Sequence, residues 1–201
     1  MIGLVLVAII LLASSGYLYY QYYGQPRCPA CGMVVTKEMI DHIKVYDSQG
    51  NLIPVCCIGC AFRLLAAPQW KTLHIETYCD WYGPDYKITI DIVDGKVVKV
   101  EPETARFIIG AAITKSCASN RVAYNQTAVE NLLKYGYSEY SLYKTELPPN
   151  APVLTAEMAA AKLPQVGIKY APPSVAFLAG IAVAGIVVLA LSVVAWKKLA
   201  A

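Results

Sequence analysis

Residues 28–33 read Cys-Pro-Ala-Cys-Gly-Met, and residues 56–60 read Cys-Cys-Ile-Gly-Cys. Together these two motifs hold five of the seven cysteines of the chain. Each motif contains a C-x-x-C pair, Cys28 with Cys31 and Cys57 with Cys60, and Cys56 stands beside the second pair. Paired cysteines at this spacing are typical of sites that bind zinc or another thiophilic metal. We therefore expect the two motifs to meet in space, and they decide the fold around them.

The sulfur ligands leave several kinds of site open. Four cysteines in two C-x-x-C pairs predict a closed tetrahedral zinc site. Met33 favours Cu(I), for which a thioether is a good ligand, although a methionine also serves as a core filler. Disulfides are a third interpretation, since cysteines outside the cytoplasm tend to oxidise, and an iron–sulfur cluster is a weaker fourth. Cys117 is the best candidate for a ligand from outside the two motifs, because it lies in a predicted loop.

Two uncharged apolar segments lie near the ends of the chain. Of the 201 residues, 57% are hydrophobic, and residues 2–20 and 174–196 account for the excess. A helix of about 20 residues crosses the hydrocarbon core of a bilayer, so each segment is long enough to span it. The net charge of +3 is small and gives no reason to expect nucleic acid as a partner.

The flanks of these segments predict an orientation. Trp196 is followed by Lys197 and Lys198, which is typical of a cytoplasmic end and would leave the middle of the chain outside the cell membrane. We expect an uncleaved anchor at residues 1–23, although a removable signal peptide is the alternative. A metal-binding domain follows at 24–137, then a proline-rich stalk at 138–172 and a second span at 173–197.

The second span also carries small residues at helical spacing. Ala176, Gly180 and Ala184 repeat every four residues, a pattern that lets another helix approach closely. The partner helix could be the first span or another protein, and ordinary membrane composition explains the pattern equally well.

Between the spans, the sequence predicts an α+β domain built from antiparallel hairpins and short helices. Alternating residues and turn signals predict a hairpin from His42–Asp47 and Leu52–Cys56, and a second from Tyr86–Val93 and Lys96–Val100 around Asp94-Gly95. Helices are expected at the following segments: Gly59–Ala66, Pro102–Ile109, Thr127–Gly136 with Thr127 as the cap, and Thr155–Leu163.

The region from Cys28 to Leu65 resembles NosL, the exported copper-binding accessory protein of the nitrous oxide reductase system. The resemblance is carried by Cys-Pro-Ala-Cys-Gly-Met at 28–33 and by Cys-Cys-Ile-Gly-Cys-Ala-Phe-Arg-Leu-Leu at 56–65. It implies a small α+β domain, similar to MerB and NosL domains, that binds Cu(I) and hands it to a copper enzyme. Cys31 and Met33 match the family's copper-binding C-x-M pair, and Cys60 matches the cysteine of its I-G-C motif.

The sequence departs from that family at two positions of the second motif. Cys56 and Cys57 stand where the family has paired aspartates, which makes the expected site softer. The ending Cys-Cys-x-x-Cys is also similar to the small TRASH-type metal-sensing modules.

Three hypotheses about function follow. The first is a membrane-anchored Cu(I) carrier, not an enzyme, that serves a copper-requiring membrane or exported oxidoreductase. The second is a structural subunit of a membrane complex whose cysteines hold zinc or disulfides. The third, a lyase or redox enzyme with paired thiols, rests on the MerB-like fold alone, and a fold does not define an activity.

Overall fold

The computed structural model describes residues 2–114 and 117–200 of the chain. These residues form two compact units, one within residues 26–170 and one made from the described parts of the two terminal segments, 1–25 and 171–201. The α-helices are α1 Ile2–Tyr23, α2 Lys37–His42, α3 Ile58–Arg63, α4 Ala111–Thr114, α5 Gln126–Tyr135, α6 Ala156–Lys162 and α7 Val175–Ala200. The strands are β1 Ile43–Asp47, β2 Leu52–Ile53, β3 Leu73–Cys79, β4 Gly83–Val93, β5 Lys96–Glu101, β6 Arg106–Ile109, β7 Asn120–Ala123 and β8 Val153–Leu154.

The larger unit is an α+β domain with two antiparallel sheets, as the sequence predicts. The first sheet has five strands in the order β2-β1-β3-β4-β5, and the second has three in the order β7-β6-β8. Val45, Ile75 and Ile90 lie side by side across the first sheet and are fully buried, because alternate residues of each strand face the core. The hairpin at Asp94-Gly95 is confirmed, and both residues have positive φ, as a two-residue turn of this kind requires.

The segment after residue 137 differs from the stalk that the sequence predicts. Strand β8 pairs with β6, with Phe107 opposite Leu154, and helix α6 begins at the cap residue Thr155 and packs on α3. Leu154 and Ala159 are buried in the same core as the strands. Burial of these apolar side chains favours packing of this proline-rich segment on the core. Residues 138–170 therefore belong to the compact domain.

Two predicted helices need correction. Residues 102–109 are not helical, because Arg106–Ile109 forms β6 between two partner strands that its β-branched residues pack against. Helix α5 begins earlier than predicted: the Asn125 side chain, rather than that of Thr127, accepts a hydrogen bond from the Ala128 N–H at 3.0 Å. The helix stops before Gly136, whose φ of +83° is the ordinary way to end a helix.

The smaller unit is a hairpin of two apolar helices. Helices α1 and α7 are each long and apolar enough to cross a membrane. They run antiparallel, since the Ser15 hydroxyl donates to the Leu178 carbonyl at 2.9 Å while Leu12 and Ala8 lie against Gly185. The buried positions of α7 recur every seven residues, at Leu178, Gly185 and Ser192. This spacing is that of a left-handed helix pair.

The small-residue stripe on the second span lies outside that seam. Ala176, Gly180 and Ala184 are exposed, and a Cβ on Gly180 would meet no atom within 4 Å. A Cβ on Gly185 would lie 3.0 Å from Leu12. The first span therefore packs against Gly185 and not against the stripe.

Replacing Gly185 with leucine is expected to weaken the helix hairpin by about 1–3 kcal/mol, because the added side chain has to displace Leu12. Faster amide hydrogen exchange in α1 and α7 of the detergent-solubilised protein would report it. The matched variant Gly180→Leu adds the same side chain on the open face and should exchange as the wild type does. Equal exchange in both variants would contradict the packing.

Candidate metal centre

A tight turn presents the first two cysteines of the centre. The Cys28 N–H donates to the Met33 carbonyl at 2.8 Å, and the Gly32 N–H donates back to the Cys28 carbonyl at 2.7 Å. Gly32 has a φ of +81°, a conformation that costs glycine little. The loop thus folds as the sequence predicts, with Cys28 buried and Cys31 partly open to solvent.

The second motif enters and begins helix α3. Cys57 is the residue before the helix, and its carbonyl accepts hydrogen bonds from the Cys60 and Ala61 N–H groups, both at 3.1 Å. Cys60 therefore lies in the first turn, as predicted. Cys56, Cys57 and Cys60 are all buried, since the chain passes through the core at this point.

Cys117 comes from a third segment, far along the chain, where Cys117–Ser119 form one turn of 3₁₀-helix before β7. The guanidinium of Arg121 stabilises this turn by donating to the Ala118 carbonyl at 2.6 Å and to the Asn120 carbonyl at 2.8 Å. The rest of the predicted loop around residues 115–116 lies outside the described residues.

The six predicted cysteines of the three segments converge. The Cys31 and Cys56 Sγ atoms lie 3.4 Å apart, and Cys60 Sγ lies 3.6 Å from both Cys56 Sγ and Cys117 Sγ. Two sets of four thiols each lie within 4.8 Å of one another: Cys28, Cys31, Cys56 and Cys60, and Cys56, Cys57, Cys60 and Cys117. All seven cysteines of the chain are described, and none is bonded to another.

Met33 lies at the edge of the cluster rather than within it. Its side chain is 37% exposed. The Tyr143 hydroxyl, half-buried, donates to the Cys56 carbonyl at 2.8 Å and lies 3.7 Å from the Met33 Sδ atom. Burial and the neighbouring Cys56 thiol raise the pKa of Tyr143, so it stays a neutral donor. Met33 is thus placed beside the cluster, where solvent reaches it.

Two polar residues that the sequence analysis did not single out touch the thiols. The Asn120 side-chain amide donates to Cys57 Sγ at 3.2 Å and accepts from the Ala111 N–H at 3.0 Å. The Arg63 guanidinium lies 3.9 Å from Cys60 Sγ and also donates to the Gly167 carbonyl. Both side chains stabilise negative charge on sulfur. Arg63 lies three residues after Cys60, which is in the first turn of the same helix, so it could have been found from the spacing; Asn120 could not.

The thiols share their protons unequally. Contacts with Cys31 and Cys56 lower the pKa of Cys117 to about 5. The contact with Cys117 raises the pKa of Cys31, but those with Cys28, Cys56 and Cys60 lower it by more, to about 3. Contacts with Cys117 and Cys28 raise the pKa values of Cys56 and Cys60 above the ordinary thiol value. A cation bound by these thiols would displace their remaining protons.

The seventh cysteine is separate. Cys79 ends strand β3 and is packed in a second cluster of buried residues, with Ile108 and Leu132. Burial raises the pKa of its thiol. It is a buried thiol outside the cluster, and it provides an internal control for the other six.

The chemistry of this donor set is that of a soft-metal site. The two sets of possible ligands consist of thiols alone, and thiolates select Cu(I), zinc and related ions over hard cations. The class of protein that fold and site define is an α+β domain with a cysteine cluster able to hold such an ion, in a chain that also carries two helices able to span a membrane.

The comparisons with known proteins do not show a family for this chain. No protein-family model and no curated protein matches the sequence. Among solved structures, the mercury-bound form of MerB2 is similar, with a TM-score of 0.47 and 13% identity over 61% of this chain. The match covers 55% of the MerB2 chain, so this chain spans about half of that protein's length. Membership of the NosL family stays a prediction.

Proposed function

We propose that this protein is a membrane-anchored carrier of Cu(I) on the outer side of the cell membrane. The single observation that supports the proposal most is the convergence of six thiols from three chain segments, with the exposed thioether of Met33 beside them. Such a set suits a soft monovalent ion that prefers sulfur. We also propose, from the positive residues after Trp196, that the domain lies opposite the cytoplasmic ends of the two helices.

Exchange rather than reaction is the proposed mode of action. Cys31 is the most accessible of the six thiols, and Met33 stands at the same edge. A partner could therefore take the ion by replacing one sulfur ligand at a time, with no covalent bond broken and no enzymatic step. The receiving protein in this proposal is a copper-requiring membrane or exported oxidoreductase.

A structural zinc site is the second candidate. It is favoured by the burial of Cys28, Cys56, Cys57 and Cys60, since closed four-thiolate sites of this kind stabilise folds. In that case metal removal would unfold the domain, and Met33 would have no part in binding.

Replacing Met33 with alanine distinguishes the two candidates. With the detergent-solubilised protein under anaerobic, reducing conditions, we expect tight Cu(I) uptake in competition with bicinchoninate. We expect the rate at which the ion passes to excess chelator to differ from that of the wild type by at least about 10-fold in Met33→Ala. The variant lacks an exposed ligand at the accessible edge of the cluster, where exchange is proposed to occur. Met158→Ala removes a methionine of similar exposure, 41%, from helix α6 and should leave the transfer rate unchanged.

Zinc bound in stoichiometric amount, no competition by Cu(I) and identical behaviour of Met33→Ala and wild type would favour the structural site and end the carrier proposal.

A further inference from the structure

The cluster contains more thiols than one metal ion can use. A tetrahedral ion with metal–sulfur bonds of about 2.3 Å takes four ligands and spaces them about 3.8 Å apart. The Sγ–Sγ distances in the cluster lie near that value, at 3.4 Å for Cys31–Cys56, 3.6 Å for Cys56–Cys60 and 3.9 Å for Cys56–Cys57. Six thiols at this spacing therefore exceed the needs of a single ion by two.

The way in which the two sets overlap accounts for the surplus. Cys56 and Cys60 belong to both sets, whereas Cys28 and Cys31 belong only to the first and Cys57 and Cys117 only to the second. Two tetrahedra that share one edge have six corners, two shared and four not. The shared edge here is the 3.6 Å line between the Cys56 and Cys60 Sγ atoms.

From this overlap we infer that the cluster holds two soft metal ions, bridged by the thiolates of Cys56 and Cys60. Cys28 and Cys31 complete the outer position, and Cys57 and Cys117 complete the inner one. The inference rests on the proposed function for the identity of the ion, Cu(I), and on the overlap of the two thiol sets for the number of ions.

The surroundings of the two positions differ. The outer position includes Cys31, the accessible thiol. The inner position borders a cavity of about 30 Å³ lined by Cys60, Cys117, Arg63 and Asn120. The hydrogen bond from Asn120 to Cys57 offsets negative charge at the inner position alone, and the guanidinium beside Cys60 offsets it at the shared edge. The inner ion is thus the more firmly held, and the outer ion is the one placed for exchange.

Cadmium alone is the probe that tests the arrangement, because Cd²⁺ prefers thiolates and is visible by NMR. The wild-type protein in detergent is expected to bind two Cd²⁺ per chain and to show two cadmium resonances. The β-protons of Cys56 and Cys60 should couple to both resonances. Cys117→Ala and Cys28→Ala should each keep one ion and lose the other, while Cys79→Ala, outside the cluster, should keep both.

One Cd²⁺ per wild-type chain, or two ions with no cysteine coupled to both, would overturn the inference without needing any variant to fold. Its failure is separate from failure of the carrier proposal. If the protein binds a single Cu(I) and passes it to a chelator, the carrier proposal stands and the two-ion arrangement is wrong. If the protein binds two bridged Cd²⁺ ions but does not bind Cu(I), the two-ion arrangement stands and the carrier proposal is wrong.

Discussion

Replacing Arg121 with methionine is expected to lower the free energy of unfolding of the domain by about 3–5 kcal/mol. The side chain is 0% exposed, and its donors reach the carbonyls of Gly136 at 3.0 Å and Thr145 at 2.5 Å as well as those of the Cys117 turn. Burial lowers its pKa, but an arginine stays charged in proteins. Methionine would leave these carbonyls without donors and the buried carboxylate of Asp80 without a nearby positive charge.

Urea unfolding followed by tryptophan fluorescence measures this loss. Arg106→Met is the matched control, because among the described residues that guanidinium donates to the neighbouring Glu103 and Ala105 carbonyls, and its loss should cost less than about 1 kcal/mol. Arg121→Lys keeps the charge with fewer donors and should fall between the two. An Arg121→Met protein as stable as Arg106→Met would show that the guanidinium does not hold the segments together.

Replacing Cys56 with serine is expected to weaken Cu(I) binding by more than about 100-fold. Loss of a residue that only supports a metal ligand lowers metal affinity by up to about 100-fold, and loss of a ligand itself should lower it by more. Cys56 Sγ is the central atom of the cluster, with contacts to Cys31, Cys57 and Cys60 at 3.4 to 3.9 Å. A hydroxyl is a hard donor and does not replace a thiolate toward a soft ion. Competition with bicinchoninate under anaerobic conditions measures the affinity.

Cys79→Ala removes a buried thiol outside the cluster and should bind Cu(I) as tightly as the wild type. Circular dichroism of Cys56→Ser separates a ligand effect from unfolding, since serine is close to cysteine in size. Unchanged affinity in a folded Cys56→Ser protein would place the metal elsewhere.

The sequence allowed most of the cluster to be predicted, because spacing within a motif is local. The C-x-x-C turns, the placement of Cys60 in a first helical turn and the softness of the donor set all follow from neighbouring residues. Asn120 and Tyr143 could not be found in this way. They reach Cys57 and Cys56 only because β7 and the segment after residue 137 pack on the core, and those contacts join residues more than 60 positions apart.

The errors in the fold have the same origin. Arg106–Ile109 gains its extended form from β7 on one side and β8 on the other, and the latter pairing lies across about 45 residues of chain. Strand β3 is different: no element was predicted at Leu73–Cys79, although its strict alternation between buried and half-buried residues has a counterpart in the sequence. His42, predicted as the first residue of a strand, instead ends a short helix and is buried, with its Nε2 atom 3.2 Å from Asp80 Oδ1.

The scattering of the six thiols over three segments has a consequence for biosynthesis. A nascent chain that has emerged only as far as residue 100 contains five of these cysteines. It lacks Cys117 and also Arg121, which hydrogen-bonds to the turn that carries Cys117. Arg121 in turn needs the Thr145 carbonyl, which is made later still. Ion capture by the complete ligand set therefore follows folding of the whole domain, and an ion bound earlier has only the five thiols of the first two motifs to hold it.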